Sequence, residues 1–397
     1  MNVLVVSDAH IWKSESGKYW CNTAMHGYGF WTRYLSAFES VTIVARVANI
    51  KEDEALEQNY IRADGENVYV YELPFIRGLK GYIFNFFKMI KAAKRASQAG
   101  DCAVFRLPSI PAYMMLFFYK KRKRPYAIEV VIDPEDEYGS YKLIKKISVC
   151  LLKRCCGEAD GVSYVTQHYL QGKYPSGYKL GKKNKNYFES FYSSIDLKKD
   201  FFYSERTYSE HENHINIIHV ANSINNYNKG HKVLLDVVSR LKENGIIAKV
   251  TFIGSGDLIE TFKNYAKTLE INDQVVFTGY VSGKKVIREY LIKSDLFVFP
   301  TKAEGLPRAL IEAMATALPC LSSNVDGIPE LLDEEYLFNY DDVDGFSKKI
   351  ISICSDAEKL KRMGMKNFET AKFYESSILS ERRKKFYSQL KEITKNI

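Results

Sequence analysis

Short apolar runs rich in Val, Ile, Leu and Phe recur along the chain, separated by longer stretches in which apolar residues return every three to four positions. Uninterrupted runs of this kind predict strands buried on both faces, and their alternation with helical stretches predicts parallel α/β units. In the first half the predicted strands are residues 2–6, 41–45, 68–73, 103–107, 126–131 and 161–166, with a helix over 31–38. The start, Met1-Asn-Val-Leu-Val-Val, has no basic segment before it and is broken by Ser7-Asp8, so it reads as a first buried strand rather than a secretory leader. Between 184 and 214 the periodicity dissolves into a polar and aromatic stretch ending Glu210-His-Glu-Asn-His214, and the hinge is placed there. The pattern restarts with strands at 215–220, 248–253 and 275–278 and helices at 231–243, 258–269 and 284–293, then reaches the apolar run Asp295-Leu-Phe-Val-Phe-Pro-Thr301. Beyond Phe346 the chain reads as helical to its end. Its 397 residues exceed one typical domain. Two are predicted: residues 1–195, completed by a helix over 377–397, and residues 196–376.

The run at 295–301 leads into Glu304-Gly-Leu-Pro-Arg-Ala-Leu-Ile-Glu312. Pro300 ends the strand, Pro307 suits the first helical turn, where a missing N–H costs nothing, and residues 309–317 are strong helix formers until Leu318-Pro319. Glu304 then lies in the loop and Glu312 on the helix. Were this eight-residue step helical throughout, it would span about 12 Å, the scale of a diphosphate. A nucleotide sugar laid across the helix start would set its phosphates on free N–H groups and the positive dipole end, leaving one carboxylate for sugar hydroxyls and the other for the ribose.

The two glutamates separated by seven residues, followed by Ala313-Met-Ala315 and then Asp326-Gly-Ile-Pro-Glu330, resemble the donor site of the family-4 retaining glycosyltransferases, with a likeness that is clear over 215–332. The resemblance implies an α/β GT-B fold: two Rossmann-like doubly wound domains with a cleft between them, an acceptor domain first and a donor domain second, and a C-terminal crossover helix. It implies transfer from a nucleotide diphosphate sugar, a UDP-sugar foremost, with retention by front-face substitution in which the leaving phosphate takes the acceptor proton. Glu304 then orients the transferred sugar, and Lys229 of Asn228-Lys-Gly230 holds the diphosphate; these two are the catalytic candidates. Gly305 and Leu306, with Pro307 and Arg308 at the helix start, take the distal phosphate, and Glu312 takes the ribose. Gly279-Tyr280-Val281 resembles the family's base-contacting turn.

Gly254-Ser-Gly256 is a further strand-to-helix turn assigned to the donor side. It is not a dinucleotide fingerprint, because Ile259 stands where the third glycine belongs. Gly27-Tyr-Gly29 matches a glycine-rich loop that lets backbone approach the donor phosphate; a simple turn after a long loop over 7–26 is the alternative. Two departures stand out. Where relatives carry an arginine before the Lys-Gly pair, this chain reads Val220-Ala-Asn222-Ser223, so either Asn222 and Ser223 bind by hydrogen bonds alone or another residue takes the contact. Where relatives carry a histidine beside the donor sugar, it reads Ala127-Ile-Glu129 through Asp133 to Glu137, so either Glu129 or Asp133 faces the acceptor or the stretch is a strand followed by a solvated acidic loop. His10, His26 and His168 are further candidates, an isolated His being more often structural.

Charge adds a partner. The net charge is +9, and residues 1–200 hold 30 Lys and Arg against 21 Asp and Glu, so the whole excess lies in the first half. It gathers at 80–95, 117–124 and 141–154, segments that also carry large apolar side chains. Such segments suit an anionic membrane surface, where each nearby basic residue contributes about 1 kcal/mol; a solvated helix face is the alternative. No nucleic-acid module accompanies the charge, so nucleic acid is not an expected partner. The longest other apolar stretch, 110–119, contains Pro111 and falls well short of the roughly 20 residues that cross a bilayer. Seven cysteines without paired spacing indicate a reducing compartment, with Cys155-Cys156 as buried helix residues. Neither an Asp-x-Asp triad nor zinc spacing is present, so no metal and no cofactor beyond the nucleotide-sugar substrate are expected. The composite expectation is a cytoplasmic enzyme, peripheral at the inner face of a membrane. Its acceptor is an oligosaccharide, lipid-linked as in bacterial surface-polysaccharide assembly. A nucleotide-sugar epimerase of similar fold and a non-catalytic carbohydrate- or membrane-binding protein are the alternatives, and donor turnover with and without acceptor separates the three.

Overall fold

The computed structural model describes residues 1–137, 141–208 and 213–396, so the part of the expected hinge at 209–212 lies outside the described residues. The chain divides into two compact units, Met1–Tyr192 with Ser380–Ile397, and Ser193–Leu379.

In the first unit the strands are β1 (Asn2–Lys13), β2 (Tyr19–Cys21), β3 (Ser40–Asn49), β4 (Ile61–Arg62), β5 (Val68–Pro74), β6 (Cys102–Leu107), β7 (Tyr126–Val130), β8 (Gly161–Tyr164) and β9 (Phe188–Phe191). The helices are α1 (Tyr28–Trp31), α2 (Glu52–Glu57), α3 (Gly78–Phe84), α4 (Phe86–Ala96), α5 (Ile110–Tyr119), α6 (Pro134–Glu137), α7 (Lys142–Glu158) and α8 (Tyr169–Lys173). Seven strands pair in parallel in the order β5-β3-β1-β6-β7-β8-β9. The runs are uninterrupted because both faces are covered: Val3, Leu4, Val5 and Val6 are all fully buried. Helices α4, α5 and α7 share one apolar core with Leu4, Phe105 and Ile128.

Two expectations fail here. The stretch 7–26 is not a long loop: a bulge between Val6 and His10 carries β1 past the polar Ser7-Asp8 to Lys13, and β2 folds back antiparallel, pairing Trp12 with Trp20. The predicted helix at 31–38 is one α turn followed by a 3₁₀ turn at Thr32–Ser36.

A third concerns Glu129 and Asp133, neither of which is presented to a ligand. Glu129 alternates with Ile128 and Val130 on β7 and so points to the opposite sheet face, where it is 3 % exposed. Its carboxylate is paired with Arg106 and accepts hydroxyls from Tyr34 at 3.0 Å, Tyr192 at 3.1 Å and Tyr387 at 2.6 Å. Burial alone would raise its pKa, but the Arg106 charge and the Tyr387 and Tyr34 hydroxyls hold it below the usual carboxylate range. Asp133 is fully buried as well, accepting Tyr174 Oη at 2.6 Å and the Glu135 N–H at 2.9 Å and pairing with Lys173 at 2.6 Å.

The second unit contains β10 (His214–Ser223), β11 (Ile247–Ser255), β12 (Val275–Phe277), β13 (Leu296–Phe299), β14 (Cys320–Ser323) and β15 (Leu337–Phe338). Its helices are α9 (His231–Glu243), α10 (Ile259–Thr268), α11 (Lys284–Lys293), α12 (Arg308–Ala315), α13 (Val343–Ile353) and α14 (Ala357–Lys372). Helix α15 (Ser376–Lys395) begins here, and its residues from Ser380 on count with the first unit, where Tyr387 stacks on Tyr34. All six strands are parallel, in the order β12-β11-β10-β13-β14-β15, the doubly wound 3-2-1-4-5-6 arrangement. Arg206 anchors this unit, donating to the carbonyls of Leu291, Ile292 and Ser294 at the end of α11 and to that of Thr316 just after α12. Two doubly wound units with a long C-terminal helix make this a GT-B fold. Among the described residues no helix is long and apolar enough to cross a membrane.

Candidate active site

In a doubly wound sheet the strand order reverses at one point, and the loops leaving the two central strands there diverge and open a crevice at their carboxyl ends. In the second unit that point lies between β10 and β13. The loop after β10 carries Lys229, the loop after β13 carries Glu304, and the two side chains form an ion pair through Lys229 Nζ and Glu304 Oε1. The loops are knitted by backbone: the Asn228 carbonyl accepts the Lys302 N–H at 2.8 Å and Thr301 Oγ1 at 3.1 Å. Gly230 must be glycine for this approach, since its φ is +75° and a Cβ there would lie 1.9 Å from the Pro300 oxygen. Glu304 is held from its other side as well, its own N–H donating to Asp326 Oδ2 at 2.8 Å. Asp326 sits at φ +49°. The paired side chains keep 31 % and 20 % of their surface exposed, so a ligand in the crevice reaches both.

Beneath this turn lie two histidines that sequence reasoning did not single out. His219 on β10 and His231 at the start of α9 are both fully buried, with ring centroids 4.5 Å apart. His219 Nδ1 meets the Val298 carbonyl at 2.9 Å. Burial drives their pKa values down, to about 4 for His219 and about 2 for His231, and the Lys229 charge acts in the same direction. They are a neutral pair beneath a cationic turn. Their separation in the chain follows no spacing motif, so only the fold brings them together.

Helix α12 starts one residue later than its sequence suggests. Pro307 is the residue before the helix, with extended backbone (φ −72°, ψ 113°), so residues 304–307 are loop and the step from Glu304 to Glu312 is not helical throughout. Pro307, the residue before the helix, has no side chain that can cap the first turn, and the positive end of the helix dipole faces this loop. Gly305, Leu306 and Pro307 are buried, while Arg308 is half-buried. Glu312, one turn on from Arg308, is half-buried, and desolvation raises its pKa against the opposing charges of Arg308 and Lys284.

The remaining second-unit candidates gather at the carboxyl edge of β10, β11 and β12. Asn222 is exposed at the end of β10. A Cβ on Gly254 would lie 1.8 Å from the Ala221 oxygen, and the Gly254 N–H donates to the Gly279 carbonyl at 3.0 Å, which ties the 279–281 turn to this edge. Gly279 has φ +75°, Tyr280 is 70 % exposed and Val281 is half-buried. Gly27 and Gly29 belong to the first unit. Gly27 precedes α1, and a Cβ there would meet the Ile61 side chain at 2.7 Å. Gly29 is exposed with open space where a Cβ would stand, so its neighbours do not require a glycine. His10 meets the Ile76 carbonyl at 3.2 Å, His168 precedes α8, and His26 stacks on Trp31 with its pKa lowered by burial to about 4. Among the described residues no three His, Cys, Asp or Glu side chains group as metal ligands.

Residues 204–370 match the model of the glycosyl transferases group 1 family, a segment lying inside the second unit. The chain is 28 % identical to Protein CapJ of Staphylococcus aureus over 88 % of this chain and 85 % of that protein. It is 32 % identical to the UDP-Gal:alpha-D-GlcNAc-diphosphoundecaprenol alpha-1,3-galactosyltransferase of Escherichia coli, over 29 % of this chain and 30 % of that enzyme. Among solved structures it resembles Anabaena HepE in complex with UDP, with a TM-score of 0.65 at 13 % identity and full coverage of both chains. On the matched segment, the two doubly wound sheets and these likenesses, the chain is a glycosyltransferase of GT-B fold, related to the family-4-type enzymes.

Proposed function

We propose that this glycosyltransferase moves a sugar from a UDP-sugar to a lipid-linked oligosaccharide, with retention at the anomeric carbon, during surface-polysaccharide assembly at the cytoplasmic face of an anionic membrane. The observation that carries the donor half is the Lys229–Glu304 pair at the switch point of the second unit. An arriving diphosphate competes with Glu304 for the Lys229 ammonium. Once it has taken the ammonium, the Glu304 carboxylate is released to orient sugar hydroxyls. Lys229, Arg308 and the first-turn N–H groups of α12 then offset the charge that builds on the departing UDP. Glu312 takes the ribose hydroxyls, and Asn222 and the Gly279-Tyr280-Val281 turn take the diphosphate and the base. In the transfer step the acceptor oxygen bonds to the anomeric carbon on the face from which UDP leaves. The carbon–oxygen bond to the phosphate breaks, and the acceptor proton passes to the leaving phosphate oxygen. No protein nucleophile is consumed.

UDP as the nucleotide is supported by the HepE complex, and a lipid diphosphate acceptor by the Escherichia coli relative. The membrane is supported by the charge excess of residues 1–200. A thermal-shift panel of UDP, GDP and ADP, each free and as sugar conjugates, tests the donor assignment. A ligand at about 100 times its Kd stabilises by about 2.7 kcal/mol, so UDP species raise the melting temperature and the others do not. A shift with GDP alone overturns the choice of UDP, and no shift with any nucleotide overturns the site.

A further inference from the structure

We infer that the first unit carries a membrane-inserting face at the junction of α3 with α4 and along the outer side of α7 from its start, and that its occupant is an anionic lipid bilayer. This rests on the membrane clause of the reading above and is independent of its donor half. Helices α4, α5 and α7 cover one face of the sheet. Each returns from the carboxyl end of one strand to the amino end of the next, so all three begin at the carboxyl edge. Their inner sides are core, with Met89, Ala93, Leu152 and Cys156 fully buried. The outer sides are not the polar faces such helices normally show. Phe84 is 86 % exposed, Phe87 84 % and Leu143 72 %, and Ile147 and Leu151 continue the Leu143 stripe at four-residue steps.

Charge decides the occupant. Residues 78–96 and 141–157 together hold ten Lys and Arg and no Asp or Glu. Lys145 and Arg154 reach carboxylates outside these segments, on Glu135 and Glu158. Large apolar side chains among lysines that outnumber the carboxylates meeting them, Glu135 and Glu158, match an anionic bilayer, into which the rings enter while the ammonium groups stay at the headgroups. The basic run at 120–124 is different. Lys120 is tied to Glu158 at 2.7 Å, and Arg122 holds the Ser97 and Ala99 carbonyls at 2.8 and 3.1 Å, beyond the end of α4. It follows α5 at the amino edge of the sheet, where it meets one exposed ring, Phe117 under Lys121 at 5.0 Å, and with Lys120 and Arg122 engaged internally it is not the seat of insertion. The inserting end is instead the carboxyl edge, where α/β units bind their ligands, so an acceptor held in the bilayer meets this unit at its ligand-binding edge.

Cys150 supplies the test. It is exposed on the outer side of α7 beside Leu151, and the other six cysteines are buried, so an environment-sensitive thiol dye on the full chain reports this face. Labelled protein is mixed with vesicles of phosphatidylcholine alone or with phosphatidylglycerol added, and dye emission and flotation are read together. The expected result is a blue shift and flotation with the anionic vesicles only. The variant Phe84→Ser/Phe87→Ser/Leu143→Ser/Ile147→Ser should lose vesicle affinity by about tenfold or more with an unchanged melting temperature, because these side chains are exposed. Flotation without a dye shift, unchanged binding by the variant, or no binding to any vesicle overturns the inference. So does self-association that the variant relieves, which would assign the face to a second copy of the chain. UDP binding by the same samples reports separately on the donor half, so either reading can fail alone.

Discussion

Two glutamates of this chain each meet a basic side chain near the carboxyl end of a central strand, and they serve opposite ends. Glu129 is sealed in the first unit with Arg106 and three tyrosine hydroxyls, every one of them supplied by the protein. Glu304 stands in a loop of the second unit with one cation, one backbone tie and a fifth of its surface open. A carboxylate whose partners are all internal has nothing left for a substrate, and its value is the architecture it joins: Tyr34 after α1, Arg106 on β6, Tyr192 after β9 and Tyr387 on α15. A carboxylate with one exchangeable partner can trade it for a ligand.

The comparison breaks most visibly under the isosteric substitution Glu→Gln at each position. Glu304→Gln is expected to lower transfer by about 10²-fold or more, the scale of a lost transition-state contact, while its melting temperature stays near that of the unmodified protein. Initial rates and a melt on one preparation check both halves. Glu129→Gln should do the reverse. It strands the buried Arg106 charge at a cost of about 3–5 kcal/mol in denaturant unfolding, and the molecules that remain folded keep their rate.

The contrast between these residues also shows what the sequence could tell. The strands at 2–6, 41–45 and 215–220 and the loop carrying Glu304 were legible, because an uninterrupted apolar run or a strand-to-helix turn is written in adjacent residues. The Glu129 cluster was not, since its Tyr387 partner lies 258 residues away and no local pattern announces a buried carboxylate. The extension of β1 through Ser7-Asp8 was hidden for a related reason: a bulge lets two polar residues pass without ending the strand. Asp326 was visible within its motif, and its hold on the Glu304 N–H appears only when loops 22 residues apart are brought together.

A smaller effect sharpens the second-unit side. His219 and His231 are neutral when folded, with pKa values depressed to about 4 and about 2, against about 6.5 in the unfolded chain. The unfolded state therefore takes up protons first as pH falls below about 6.5. Stability should decline from there toward pH 4 by up to about 1.4 kcal/mol per pH unit for each histidine. In His231→Phe that decline should be shallower, read as unfolding free energy against pH. A slope unchanged by the substitution would remove the buried pair from the account. The smallest change expected is in Asp326→Asn, which keeps an oxygen for the Glu304 N–H and tolerates positive φ; transfer should stay within about threefold, whereas Asp326→Ala should lower it about tenfold by loosening the loop.

The most direct test of the exchange proposed at Lys229 is the affinity for UDP measured by calorimetry in Lys229→Ala and in Glu304→Gln. If the ammonium is shared between the carboxylate and the incoming diphosphate, Lys229→Ala weakens UDP binding by about tenfold or more. Glu304→Gln, which removes the competing charge, then binds UDP at least as tightly as the unmodified protein while failing to transfer sugar. Equal weakening in both variants, or no change in Lys229→Ala, would contradict it.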